Sequence, residues 1–292
     1  MQNRKIIQYP RKSSLWLLLI LALITENSSA QSYSISSDGK DFWVGYMFPS
    51  YNKVAAPATL GFYSATILIS SYSDNTVTVS FFNRTTGVEQ IGSTYFVSAR
   101  TAVQVPLPLA FVQMGDTGDV PEYAACHVTA RRAINVEFFS TGACAGGSFL
   151  PLQTSVLGKK YVIASYNDNN GAGGIVGGGN YGPSAIETSE GFFEIIVPYD
   201  STKVTITPTS TTMGGHVGIY GKHATGVPVP YTVTLRRGQC YLVKSGGSDA
   251  TTDISGSIVE SDKQIAVIAG QENAMLGGVS SRNLEGRDFM IE

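Results

Sequence analysis

The chain has 292 residues, with 20 basic against 22 acidic side chains and a formal charge of −2. Nothing in that balance suggests a nucleic-acid partner, because no Lys/Arg cluster lies beyond the first dozen residues to track a phosphate backbone. Three cysteines, Cys126, Cys144 and Cys240, are too few for a disulfide-stapled scaffold, so hydrophobic cores must hold the fold.

Residues 1–30 read as a secretory signal peptide. Arg4, Lys5, Arg11 and Lys12 precede the ten apolar residues "LWLLLILALI", and Ser28 and Ala30 supply the small residues before a cut. Ten apolar residues fall short of the ~20 that a membrane-spanning helix needs. No later stretch is longer, so a secreted, extracellular or cell-surface protein without membrane insertion is expected. Cleavage after Ala30 leaves 16 basic and 21 acidic residues, a balance of −5.

From there the chain reads as strands. "SATILISSY", "NTVTVSFF", "STYFVSA", "TAVQVPL", "AACHVTA" and "INVEFFS" are short Val/Ile/Thr/Phe/Tyr-rich runs bounded by turn residues. In "NTVTVSF" the period of two places Val77, Val79 and Phe81 on one face and Thr76, Thr78 and Ser80 on the other. "GFFEIIVP", "KVTITPT", "PYTVTLRR", "QCYLVKS", "SGSIVES" and "QIAVIAG" continue the pattern. Only "PLPLAFVQM" offers a short turn of helix. The fold class is therefore all-β, a sandwich or barrel with little or no helix after the leader.

Internal matches organise these strands. "GKDFWVGYM" resembles "GKKYVIASY", and "ILISSYSDNTVTVS" (67–80) resembles "EIIVPYDSTKVTIT" (194–207). "YFVSARTAVQV" resembles "YTVTLRRGQCY", and "HVTARRAINVEFF" (127–139) resembles "IVESDKQIAVIAG" (258–270). Four matches in one order predict two tandem, related β-sandwich-like modules, 31–157 and 158–292. "EGRDFMIE" at 285–292 resembles "AGGSFLPL" at 145–152, so a further unit is expected beyond Glu292.

Candidate chemistry is sparse. The run "NDNNGAGGIVGGGNYG" (167–182) follows a strand and holds seven glycines, as a phosphate cradle would. It leads into a Pro and another strand, whereas a dinucleotide site needs a helix N-terminus there. It reads as a connection between strands, and Asn167, Asp168, Asn180 and Tyr181 are its loop candidates for binding. Asp168 with Asn167, Asn169 and glycine carbonyls is a candidate calcium set, although the repeated pattern that would make it specific is missing. Asp116, Asp119 and Glu122 in "GDTGDVPE" form a second candidate cation loop, with an ordinary turn favoured. "GACAG" places Cys144 where a hydrolase elbow holds its nucleophile, but no helix follows it. Phe42, Trp43 and Tyr46 could form a ligand platform; their strand setting favours core packing. Asn83 begins "NRT", a glycosylation acceptor in a eukaryotic host. Export would permit one bridge, Cys126–Cys144, yet a hairpin turn near Arg131-Arg132 would set Cys126 opposite residue 138, six short of Cys144. No catalytic residue, resident metal or cofactor is expected.

Over residues 37–292, the runs "GKDFWVGYM", "ATILISSYSDNTVTVSF", "INVEFFS", "LGKKYVIASY" and "IAVIAGQEN" resemble the N-terminal region of the IgGFc-binding protein family. The resemblance implies an extracellular all-β binding region. The best-known animal member sits in mucus and binds the Fc part of immunoglobulin G, and similar domains occur in large exported bacterial proteins. Its cysteine-rich von Willebrand-type repeats are absent here, and the motif carries over no ligand residue. A protein or glycan partner is implied, with immunoglobulin Fc and mucin as examples. The resulting expectation is a non-catalytic binding or adhesion module that makes contact through loops. A Cys144 hydrolase and a ligand-free spacer are the alternatives.

Overall fold

The alternation in "NTVTVSFF" becomes strand β3 (Asn75–Phe82), with Val77, Val79 and Phe81 in the core and Thr76 and Thr78 half-buried. A computed structural model describes residues 37–46, 64–115, 118–141, 146–167, 190–221, 224–247, 250–271 and 289–291. The fold is all-β. Apart from two 3-10 turns, the only helix among the described residues is α1 (Leu109–Val112), inside "PLPLAFVQM".

Seven antiparallel strands share one sheet: β1 (Gly39–Val44), β2 (Ser64–Ser71), β3, β4 (Glu89–Val97), β5 (Thr101–Leu107), β7 (Cys126–Thr141) and β8 (Gly146–Phe149). β7 belongs to two ladders. Residues 126–130 pair with β3 and most of β1, whose Gly39 reaches on to Ile134, while residues 135–141 pair with β2 and β8. The turn expected at Arg131-Arg132 does not form. The chain runs straight through as one sixteen-residue strand, with both arginines exposed at the crossing. Asn75 holds the backbone there: its Nδ2 donates to Arg132 O at 3.0 Å, and Arg132 N donates to its Oδ1 at 3.3 Å. A side-chain amide thus satisfies backbone groups where the ladders change over. Ile67, Ile69, Val77, Val79, Val128 and Phe138 meet in one core.

The later strands form two further sheets. One has the order β16 (Phe289–Ile291), β15 (Ala266–Gln271), β10 (Gly191–Ile196), β13 (Gln239–Lys244), β6 (Pro121–Tyr123). The other has the order β12 (Tyr231–Leu235), β11 (Thr202–Thr207), β14 (Ile258–Ser261), β9 (Lys160–Val162). Every residue of β10 is buried. Phe193 and Ile195 face a core shared with Val204, Ile206 and Val259, while Phe192 and Ile196 join the core of the seven-stranded sheet. "GFFEII" is continuously apolar, Glu194 apart, because this strand is covered on both faces.

One polar cluster ties Arg237, in the turn between β12 and β13, to the earlier strands. His127 Nδ1 lies 2.6 Å from Glu89 Oε1, and its Nε2 lies 3.0 Å from Asp41 Oδ2. Arg237 Nη1 donates to Glu89 Oε2 at 2.5 Å. Its guanidinium stands 5.0 Å from the Trp43 ring centre, and Trp43 stacks on His127 at 4.2 Å. Because Arg237 is 34% exposed, solvent weakens its share. Arg237→Ala is expected to lower stability by about 1–2 kcal/mol in urea denaturation. Arg237→Lys should recover only part of that, since an ammonium cannot both pair with Glu89 and lie flat on the indole.

Candidate functional site

β4 and β5 end the path of strands through the seven-stranded sheet, and a groove of about 340 Å³ opens between them. That volume suits a side chain or a small ligand group. Val79, Phe81 and Val105 form its apolar floor, and Ile91, Tyr95 and Phe111 its walls. Phe81 and Phe111 stack with centroids 5.7 Å apart. Gly92 permits the close approach of β4: a Cβ there would lie 2.4 Å from the Phe81 ring. Ile91 is 72% exposed, which is unusual for an isoleucine beside so much apolar surface.

The residues singled out in the sequence do not gather at this groove. Asp119 is a hub elsewhere. Its Oδ1 accepts hydrogen bonds from Tyr231 Oη at 3.1 Å and Tyr241 Oη at 3.0 Å. Its Oδ2 accepts from Thr212 Oγ1 at 3.1 Å and Gly214 N at 2.9 Å. Burial first, and then the Asp119 charge, push both tyrosine hydroxyls well up, so they remain protonated donors. Glu122, from the same loop, turns to Arg84 at 2.6 Å and accepts from Gly115 N at 2.8 Å. These two carboxylates therefore serve separate protein partners, while Asp116 lies outside the described residues.

Asn167 is buried, and its amide joins strand ends. Its Oδ1 accepts from Gly191 N at 2.7 Å, and its Nδ2 donates to Thr252 Oγ1 at 3.0 Å. Asp168, Asn180 and Tyr181 lie outside the described residues, as does Cys144. Asn83 opens a turn in which its Oδ1 accepts from Thr85 N and Thr86 N at 3.0 and 2.9 Å. Cys126 and Cys240 are free and buried. Burial pushes both thiols up, with the Glu194 charge adding to the effect at Cys240, and this disfavours a nucleophilic thiolate. Phe42, Trp43 and Tyr46 are core residues. Among the described residues no group of three His, Cys, Asp or Glu side chains converges to hold a metal. Among them, too, no helix is long and apolar enough to cross a membrane.

Sequence reasoning missed Ile91, Tyr95 and Phe111. The available signal was the apolar residues Ile91 and Tyr95 in "EQIGSTYFV" and Phe111 in "PLPLAFVQM". Knowing that β4 ends its sheet was needed to read it.

The sequence matches the family described as IgGFc binding protein over residues 147–292, half of the chain. The chain belongs to the IgGFc-binding protein family. No curated protein and no solved structure matches it.

Proposed function

We propose that this protein is an extracellular, non-catalytic binding or adhesion module, exported by a leader at residues 1–30. Family membership carries the reading, and the open apolar groove between β4 and β5 supplies a surface for it. The ligand is a protein or glycan; immunoglobulin Fc follows from the family's description, and mucin from the resemblance to its mucus member.

We further infer two related β-modules, residues 31–157 and 158–292. The strand neighbours support this. β2 pairs with β5 and β7 as β10 pairs with β13 and β15, and β3 pairs with β4 and β7 as β11 pairs with β12 and β14. β1 and β8 flank β7 as β9 and β16 flank β14 and β15. The long β7 takes the place of both β14 and β15.

The purified protein should bind saturably to at least one of immunoglobulin Fc, mucin or a glycan array, and Cys144→Ala should leave that binding unchanged. Silence across all three would favour a spacer. A hydrolytic activity lost in Cys144→Ala would favour an enzyme.

A further inference from the structure

Among the described residues β5 is a sheet edge, and its counterpart in the later half of the chain is not. β13 lies beside β10 as β5 lies beside β2, but β13 has a second neighbour. That neighbour is β6, which leaves the chain between β5 and β7 and pairs antiparallel with Gln239, Cys240 and Tyr241. Asp119 N extends the contact by donating to Leu242 O at 2.6 Å. The same segment closes the opening between β12 and β13, because the Asp119 carboxylate takes hydrogen bonds from Tyr231 on one strand and Tyr241 on the other.

The groove between β4 and β5 is the matching opening. The aligned stretches "YFVSARTAVQV" and "YTVTLRRGQCY" match Tyr95 with Tyr231 and Val105 with Tyr241, and both Tyr95 and Val105 line the groove. Among the described residues no strand lies on the outer side of β5. Pro106 sits in β5 without an N–H to give, as edge strands allow.

We propose that the β5 edge and its groove dock a short extended segment of a partner protein. The segment adds as a strand antiparallel to Val103–Val105, as β6 adds to β13, and inserts an apolar or aromatic side chain over Phe81 and Phe111. The proposal rests on the binding reading above and names the class of ligand. A polypeptide fits better than a glycan because the open edge offers backbone donors and acceptors in ladder spacing. A second copy of this chain is a poorer donor. Its segment corresponding to β6, between β13 and β14, is engaged locally: Gly246 N donates to Thr211 O at 2.7 Å and Ser257 N to Ile254 O at 3.1 Å.

The test uses the whole protein, a phage-displayed library of random linear peptides, and a glycan array. Selected peptides should alternate apolar and polar residues. Two exposed variants probe the site: Gln104→Pro shares the outward orientation of Pro106 and removes an edge N–H, and Ile91→Asp places a charge at the groove lip. Each should weaken the selected peptides by about tenfold, the loss of one hydrogen bond or apolar contact. Thermal melting should stay unchanged, and the distant exposed variant Tyr220→Ser should bind normally.

Failure to enrich any peptide overturns the proposal, as does enrichment of peptides insensitive to both variants. Binding to the glycan array alone also overturns it, but leaves the binding-module reading intact. Strong hydrogen-exchange protection of the outer β5 amides in the free protein would show that the chain's own residues fill the edge, and self-association abolished by Gln104→Pro would assign it to a second copy. Either result defeats the assignment to a partner.

Discussion

Asp119→Ala is expected to lower stability by about 3–5 kcal/mol. The carboxylate accepts four hydrogen bonds, from Tyr231, Tyr241, Thr212 and Gly214. Each buried donor left without an acceptor costs about 1–3 kcal/mol. Water can reach Gly214, which is exposed, so the sum falls short of four full penalties. Asp119 also has φ +52, a left-handed conformation that Asp and Asn tolerate and Ala does not, which adds to the loss.

Asp119→Asn separates these contributions. It keeps the backbone preference and one carbonyl oxygen, and the hydroxyls can rotate to accept from its NH2. Gly214 N–H has no such freedom, so the amide must turn its oxygen that way. A loss of about 1–2 kcal/mol is expected. Urea midpoints of the two variants measure the difference, and an Ala variant within 1 kcal/mol of the parent would refute the hub role. Hydrogen exchange should also show the β6–β13 amides opening first in the Ala variant, since Asp119 anchors the segment leading into β6.

That role could not be read from the local sequence. "GDTGDVPE" has the composition of a turn or a cation loop, and the tyrosines that Asp119 serves lie 112 and 122 residues away. Period-two patterning, by contrast, is a local signal. It gave the strands of the first sheet and the burial of Val77, Val79 and Phe81, whereas Phe42 and Trp43 are adjacent and both buried, which alternation does not predict. Local signals misled at Arg131-Arg132, where two charges between apolar runs looked like a turn. The strand continues from one set of partners to the next instead, with Asn75 from a neighbouring strand satisfying its backbone. The groove was hidden for a similar reason. Ile91, Tyr95 and Phe111 become a surface only once β4 and β5 are known to be ends of the same sheet, and sheet order depends on long-range pairing that no window of sequence contains.

Glu194 should dominate the dependence of stability on pH. It sits in β10 among apolar neighbours, 1% exposed, with Oε1 lacking a hydrogen-bond partner among the described residues. Gly45 packs so closely that a Cβ there would lie 2.3 Å from that oxygen. Burial raises its carboxyl from 4.5 to about 7; a hydrogen bond with Cys240 and the charge of Arg84 work against the rise, and the charge of Glu122 adds to it. The folded state therefore holds this proton more tightly than the unfolded chain. Its contribution is complete below the unfolded value and is lost as pH rises through about 7. Between pH 5 and pH 8 the loss amounts to about 2–3 kcal/mol, or roughly 5–10 °C in melting temperature for a chain of this size. Asp41 and Glu89 act at the other end. Burial pushes both upward, but hydrogen bonds and charge from His127, with Thr154 and Trp43 at Asp41 and Arg237 at Glu89, hold them below their ordinary values. Their contribution is full above the ordinary carboxylate range and is lost as pH falls through their lowered values. Glu194→Gln keeps the shape and removes the titration. Its melting temperature should match the parent near pH 5, exceed it by those same degrees at pH 8, and still fall in acid. Parallel profiles for the two proteins from pH 5 to 8 would show that Glu194 remains ionised in the fold without penalty.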